Sequence, residues 1–361
     1  MQKRSLTEEE ENETQDNLKR SRYEVAIIPT TSTDLITTEN QNDTSKRTSD
    51  LLAPTMLLTG HEGAVYSISF DPTGQHIASG SFDNNIFLWN TFGECENYGL
   101  LSGHKNAVLE VHWGSNGNTI CSASADKTVG LWDAKKGTRI RRLINHTGIV
   151  NTCSMASNQP QIFASGSDDR YAIVWDSRSK IPSQSIGHDY QITSVCLSAE
   201  GDYLYTGGID NIIRRWDTRM ISKNPHLSLT GHGNTITGLS LNPEGTHLLS
   251  NGMDSNLFLW DIRPFVTNEQ QRYEKKYEGA RHGAEQVLLK CNWSPTASDG
   301  LSRIACGSAD RIVHIWDATT TQQLYYLPGH KGSVNQVIFH PTQPIIASCG
   351  SDKQIFVGEL S

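Results

Sequence analysis

Seven histidines, His61, His104, His146, His188, His232, His282 and His330, recur along the 361-residue chain at separations of 43, 42, 42, 44, 50 and 48 residues, each in a Gly-His pair or a degenerate version of one. Each is followed by a turn aspartate: Asp83, Asp126, Asp169, Asp210, Asp254, Asp310 and Asp352. Four residues before six of those stands a hydroxyl, at Ser79, Ser122, Ser165, Thr206, Ser250 and Ser348, with Cys306 in the remaining place. Ser, His and Asp together are the parts of a nucleophilic triad: an attacking hydroxyl, its general base and the carboxylate that orients the base. A catalytic constellation, however, is normally unique, because one substrate site needs one nucleophile. Recurrence at a fixed period argues for a structural hydrogen-bond chain instead.

The residues around these positions show what must hold them. Six residues after the first six aspartates stands Trp89, Trp132, Trp175, Trp216, Trp260 or Trp316, and Gly358 occupies that place in the last repeat. Between the markers lie short β-branched and aromatic runs bounded by Gly, Pro, Asn and Asp, such as AVYSISF, HIASGS and NIFLWN in the first repeat. Each repeat therefore holds three strands and a weaker fourth. Residues 54 to 361 number 308, or 44 for each of seven repeats, with no remainder that needs a second domain. The chain stops soon after the third strand of the seventh repeat, QIFVGEL. Residues Thr55 to Leu58 are the available substitute for the missing fourth strand, and they would protect an otherwise bare sheet edge.

The first 53 residues differ in kind. Glu, Asp, Asn, Thr and Ser dominate them, the only apolar cluster is Val25 to Ile28, and such a segment cannot bury enough surface to offset its ordering entropy, so a disordered polar tail is expected. It carries 7 basic and 11 acidic residues, half of the chain's net charge of -8, and neither part has the basic footprint of a nucleic-acid binder. The basic clusters Lys19, Arg20, Arg22 and Lys46, Arg47 could serve nuclear import; the acid run Glu8 to Glu11 reads as a solvated block. The start is too charged for a signal peptide and no apolar run approaches the roughly 20 residues of a membrane helix. An intracellular protein is expected, with no membrane partner. The seven cysteines, Cys95, Cys121, Cys153, Cys196, Cys291, Cys306 and Cys349, are odd in number and lack a CxxC pair, so reduced structural thiols are expected. No phosphate loop, HExxH, G-x-S-x-G or metal-like spacing stands out, and neither a cofactor nor a small-molecule substrate is implied.

A period of 42 to 44 residues with Gly-His and Trp-Asp signatures resembles the WD repeat, which forms one four-stranded blade of a propeller. The resemblance covers residues 54 to 361 and implies an all-β, seven-bladed propeller closed by the N-terminal strand. It also implies that His, the hydroxyl, Asp and the Trp indole join in a buried chain in blades 1 through 5, which hold all four members. The sixth repeat departs: Cys306 should loosen its network, Arg281 replaces the Gly before His282, and extra residues lie around Glu269 to Gly279 and Thr296 to Ser302. Function on such a disc lies in the side chains its faces present. The residues just before each turn Asp should point out from one rim, and the large apolar ones, Phe82, Ile209 and Met253, are candidate partner anchors.

Several stretches go beyond the generic repeat. LLAPTMLLTGHEGAVYSISF, GGIDNIIRRWDTR and PGHKGSVNQVIFHPTQPIIASCGSDKQIFVGEL resemble WD-repeat subunits of the U5 small nuclear ribonucleoprotein of the spliceosome, and LKRSRYE in the tail is similar to their N-terminal region. That resemblance implies a nuclear, non-catalytic scaffold in pre-mRNA splicing. It would bind the particle's large central scaffold protein and other spliceosomal proteins, with U5 small nuclear RNA in the same complex but little touched. A different class is suggested by Trp175-Asp176-Ser177-Arg178, Trp216-Asp217-Thr218-Arg219 and Trp260-Asp261-Ile262-Arg263, which resemble the boxes by which WD-repeat substrate receptors dock on cullin-4 ubiquitin ligases. Arg178, Arg219 and Arg263 would then face an adaptor; alternatively they stabilise the loop after the third strand.

Overall fold

A computed structural model describes residues 25–27, 49–220, 224–265, 272–283, 285–295 and 301–360. The two basic tail clusters, the acid run at 8–11, residues 269–271 and residues 296–300 lie outside these residues; of the first stretch expected as a sixth-repeat insertion, Tyr273–Tyr277 is instead the outermost strand of blade 5, paired with Leu257–Asp261. The described chain forms seven antiparallel sheets arranged as the blades of a propeller, the first six built in sequence order from innermost to outermost strand and the seventh completed from the N-terminal side. In blade 1 the four strands are Val65–Phe70, His76–Ser81, Ile86–Asn90 and Asn97–Leu101.

Burial follows position in the blade. The second and third strands, such as Ile162–Ser167 and Tyr171–Asp176 of blade 3, are covered on both faces by neighbouring blades and are almost wholly buried. The outermost strand, such as Gln184–Gly187, alternates between half-buried and exposed, as an edge with one wet face should. Small residues on the second strands set how closely blades approach. A Cβ on Gly80 would lie 2.6 Å from Val111 of the next blade, and one on Gly166 2.7 Å from Ile192. The repeat indole of each blade fills the interface with the preceding one: Trp132 packs with Ala78, Ile86 and Leu88 of blade 1, and Trp175 with Leu131 and Val129 of blade 2.

Side chains on the innermost strands, and Asn251 on the second strand of blade 5, tie blade to blade around the axis. Ser67 Oγ takes the N–H of Val111 at 3.0 Å, Glu110 that of Cys153 at 3.0 Å, and Thr152 that of Val195 at 3.2 Å. Thr193 donates to Ile236 O, Asn251 to Leu289 O at 3.1 Å, and Asn335 to Val65 O at 2.7 Å, which joins blade 7 to blade 1.

The ring closes as the sequence suggested. Thr55–Leu58 pairs antiparallel with Ile355–Glu359, with Thr55 opposite Gly358 and Leu58 opposite Ile355, so the first residues of the folded part complete the last blade. Packing begins a few residues ahead of the expected start at 54: Leu51 and Ala53 are buried in the same cluster as Met56 and Trp89, and Leu51 bridges to Gly93. Inside the segment expected as tail, Val25–Ile27 forms a three-residue strand against Thr55–Leu58, making the closing sheet five-stranded. These are the apolar residues of the tail, and they lie along the edge that the short sheet leaves open.

Candidate docking surfaces and the network that shapes them

In blades 1, 2, 3 and 5 the repeated polar residues form one connected chain. In blade 1, His61 Nδ1 lies 2.7 Å from Asp83 Oδ2 and Nε2 lies 2.7 Å from Ser79 Oγ, which accepts the Trp89 indole N–H at 2.9 Å. A carboxylate only accepts, so in the neutral ring Nδ1 carries the proton and Nε2 accepts from the serine hydroxyl. The same contacts join His104, Asp126, Ser122 and Trp132; His146, Asp169, Ser165 and Trp175; and His232, Asp254, Ser250 and Trp260. Each Asp also caps its own turn, Asp83 taking the N–H groups of Asn85 and Glu62 at 3.0 and 3.1 Å. The residue after it, whether Asn84, Lys127 or Arg170, stands in the left-handed region at φ near 70°, a conformation that costs non-glycine side chains energy and persists only where the surroundings impose it.

Burial alone would raise these carboxyls, but the hydrogen bonds from the histidine and the turn N–H groups outweigh it. Asp83, Asp126 and Asp169 all sit below the usual carboxylate range, and Asp254 falls to about 2. Ser79, Ser122, Ser165 and Ser250 are fully buried, with no approach for a substrate. The arrangement holds the loop entering each blade against the turn between its second and third strands, and has no open face on which to do acyl-transfer chemistry.

Blade 4 corrects the expectation that five blades carry the complete chain. Trp216 donates to Thr206 at 3.0 Å, but Asp210 is held by Arg214 at 2.5 Å, and His188 Nε2 is buried without a partner among the described residues. The guanidinium offers a charge-assisted bond that the neutral imidazole cannot match, so one carboxylate with two claimants goes to the arginine. Burial and then the positive charge of Arg214 push the His188 pKa down to about 4.

Blade 6 is rewired in the same sense. His314, two residues before Trp316, takes Asp310 at 2.9 Å, while His282 turns toward Asn251 of blade 5 at 3.3 Å and burial lowers its pKa to about 4. Lacking a hydroxyl at Cys306, Trp316 donates to Glu278 O at 3.2 Å. Arg214 and His314 occupy the same place in their repeats, where Phe87, Gly130, Ile173 and Phe258 stand elsewhere. A polar residue at a place otherwise apolar or small was the available signal, and the sequence reading passed over it. In blade 7, His330 bonds Ser348 at 2.9 Å and Asp352 at 3.0 Å, with no indole.

Two opposite faces are available for docking. On the rim that bears the aspartate turns, Phe82 is 59% and Ile209 45% exposed, whereas Met253 is half-buried and a weaker anchor. Phe82 packs edge-on against Tyr66 at 6.5 Å. Exposed Ile149 and Tyr190, on the loops entering blades 3 and 4, extend the apolar part of this rim, Ile149 beside Asp168 and Tyr190 next to Gln191, whose carbonyl accepts the Ile209 N–H. Sequence reasoning did not single them out, because loop residues outside the repeat signature carry no periodic signal.

Arg178, Arg219 and Arg263 lie at the other end of the third strands, roughly 20 Å away across a six-residue strand. Each folds back on its own Trp-Asp carboxylate: Arg178 Nε lies 2.9 Å from Asp176, Arg219 Nε 3.3 Å from Asp217, and Arg263 Nε 2.9 Å from Asp261. They remain solvent-exposed while bracing the loop after the strand. Along the axis runs a channel with a cavity of about 640 Å³. Glu110 on its wall is met by the Lys290 ammonium at 3.4 Å, so this acid is neutralised by a cation of this chain. Among the described residues no cluster of three or more His, Cys, Asp or Glu could hold a metal.

A profile described as "WD40: WD domain, G-beta repeat" matches residues 52–90, 95–133, 137–176, 180–217, 223–261 and 321–357, well over half of the chain. The U5 small nuclear ribonucleoprotein 40 kDa protein of Dictyostelium discoideum is 49% identical over 316 residues, 88% of this chain and 87% of that protein. The human protein of the same name is 49% identical over 314 residues, 87% of this chain and 86% of its own. The chain belongs to the WD-repeat family. Its relatives also include the pre-mRNA-splicing factor cwf17 of Schizosaccharomyces pombe, 41% identical over 318 residues, 88% of this chain and 90% of that factor. The stretch between the fifth and sixth profile matches, 262–320, holds the outermost strand of blade 5 and the first three strands of blade 6, where the WD-repeat network has been rewired around His314.

Proposed function

We propose that this chain is a non-catalytic protein-docking scaffold of the U5 small nuclear ribonucleoprotein, acting in the nucleus in pre-mRNA splicing. The observation that carries the reading is identity of about half, extending over nearly nine-tenths of the chain, to proteins named as the 40 kDa subunit of that particle. The geometry supports it from a second side. The repeated Ser-His-Asp groups are buried and committed to holding turns, while the exposed features are apolar side chains set in a polar rim, the composition of a protein-binding surface. A net charge of -8 favours docking on protein over tracking an RNA backbone.

In this reading the aspartate-turn rim, with Phe82, Ile209 and the adjoining Ile149 and Tyr190, contacts the large central protein of the particle, and the RNA is a neighbour. Tagged protein recovered from nuclear extract should bring down that large splicing protein and U5 small nuclear RNA together. Phe82→Asp with Ile209→Asp should reduce recovery of both by at least about 30-fold, the loss of two interface anchors worth about 1 kcal/mol or more each, while the far-ultraviolet spectrum and melting midpoint stay in place. Recovery of a cullin-4 adaptor without the RNA would instead establish the ligase reading, and unchanged recovery by the double variant would move docking to another face.

A further inference from the structure

Blade 7 lacks the one large side chain that every other blade buries between itself and its predecessor. Gly358 stands where the indole belongs, and a Cβ placed on it has no neighbour nearer than 3.8 Å, the carbonyl of Pro54. Leu360 is buried at this interface with Val313 and Ile346, yet space remains beside Gly358. A cavity of about 480 Å³ opens between blades 6 and 7, walled by Val313, Leu327, Ile346 and Phe356 and reaching the hydroxyl of Ser348. That volume lies within the range of about 300 to 1,000 Å³ typical of pockets that hold small ligands.

In blades 1 to 5 the equivalent hydroxyl accepts an indole N–H at 2.8 to 3.0 Å. Ser348 keeps its bond to His330 Nε2, and in blade 7 no indole completes it. The chain shows five times over which group satisfies these walls and this acceptor: a flat apolar ring system with a single N–H donor. None of its own eight tryptophans is available. Trp89, Trp132, Trp175, Trp216, Trp260 and Trp316 fill their own blades, and Trp113 and Trp293 belong to innermost strands of blades 2 and 6. The first 53 residues contain no tryptophan and one aromatic residue, Tyr23.

We infer that the cavity between blades 6 and 7 is a binding site for a tryptophan side chain of a partner protein, whose indole N–H donates to Ser348 Oγ while its rings fill the place left by Gly358. A partner tryptophan seated there completes the seventh repeat and seals the interface between blades 6 and 7, and this site is separate from the aspartate-turn rim. Tryptophan suits the role because it joins a large apolar surface to one directional donor, which is why it is enriched among interface anchors.

The test uses the full-length protein with methyl-labelled Ile, Leu and Val, titrated with N-acetyl-tryptophanamide. Shifts should concentrate on the methyl groups of Val313, Leu327 and Ile346 and saturate with a Kd on the order of 0.1–1 mM, as expected for one side chain of this size. N-acetyl-phenylalaninamide, which fills the walls but has no ring N–H, should bind at least about fivefold more weakly. Gly358→Trp should abolish the shifts and raise the melting midpoint, and Leu327→Trp should block the site from blade 6 should the first variant fold poorly. Absence of shifts up to the solubility limit, shifts that persist in both filled variants, or equal binding of the phenylalanine probe would overturn the inference. Binding that appears only in Tyr23→Ser would overturn it too, by making this chain's own tail the occupant.

Discussion

Blades 1 and 4 carry the same four signature residue classes at the same spacing, yet one builds the full polar chain and the other does not. His61, Ser79, Asp83 and Trp89 are joined in series, whereas His188 stands apart from Thr206 and Asp210. The difference lies in a residue outside the signature. Phe87 stacks on the His61 ring at 4.1 Å and leaves the carboxylate to it; Arg214 at the equivalent place claims the carboxylate for itself. A signature specifies which groups can bond, and competition among all donors within reach decides which do.

The largest effect that would sharpen this contrast comes from deleting the shared acceptor. Ser122→Ala in blade 2 strips the partner from both His104 and Trp132 inside a buried site, at roughly 2–4 kcal/mol for two orphaned groups. Thr206→Ala in blade 4 removes the partner of Trp216 and a long 3.5 Å bond to the Arg214 carbonyl, leaving one buried donor orphaned at about 1–2 kcal/mol. Urea unfolding of the two variants should therefore differ in midpoint by about a factor of two in the shift; equal shifts would break the comparison.

Acid should reveal the difference next. The folded pKa of His188 and His282 lies near 4, below the unfolded value, so between the two the unfolded chain binds more protons and stability falls as pH drops from about 6.5 toward 4. Asp83, Asp169, Asp254 and Asp352 have depressed folded pKa values, so their contribution is complete above about 4 and is lost as pH falls through the lower folded values. Melting midpoints measured from pH 7 to 2 should decline in two stages, and His188→Phe should shrink the first while leaving the second intact.

A smaller but more pointed effect is expected from Arg214→Ile. Freed from the guanidinium, Asp210 becomes available to His188, and the imidazole also loses a nearby positive charge. Its titration, followed by the ring proton signals, should move up from about 4 toward the ordinary histidine range. A titration that stays in place would show that the distance between loop and turn, and not competition, separates them. The smallest effect belongs to the far face: Arg178→Glu, Arg219→Glu and Arg263→Glu together break exposed pairs on flexible side chains and should leave the melting midpoint close to unchanged.

Much of the molecule was legible in the one-dimensional pattern. Seven Gly-His and Asp-centred markers at near-constant spacing require repeated units, and strands cut to five or six residues between turn signals require a small sheet in each. The closing role of Thr55 to Leu58 followed from counting strands, because the seventh repeat ends one short. The rim candidates were only partly legible: Phe82 and Ile209 stand exposed, Met253 is half-buried beside its turn, and Ile149 and Tyr190 join the surface from loops.

The sequence by itself thus determined the number of blades, the order of strands and the members of the polar chains of blades 1, 2, 3 and 5, since these depend on local spacing and on burial patterns that repeat within the chain. Tertiary structure alone decided that Arg214 and His314 take the aspartates of blades 4 and 6, that Leu51 and Ala53 join the core, and that an unfilled cavity remains beside Gly358. The physical reason is the same in each case. A hydrogen bond or a cavity depends on which atoms from distant segments reach the same few cubic ångströms, and that competition is settled only when the blades have packed around one another.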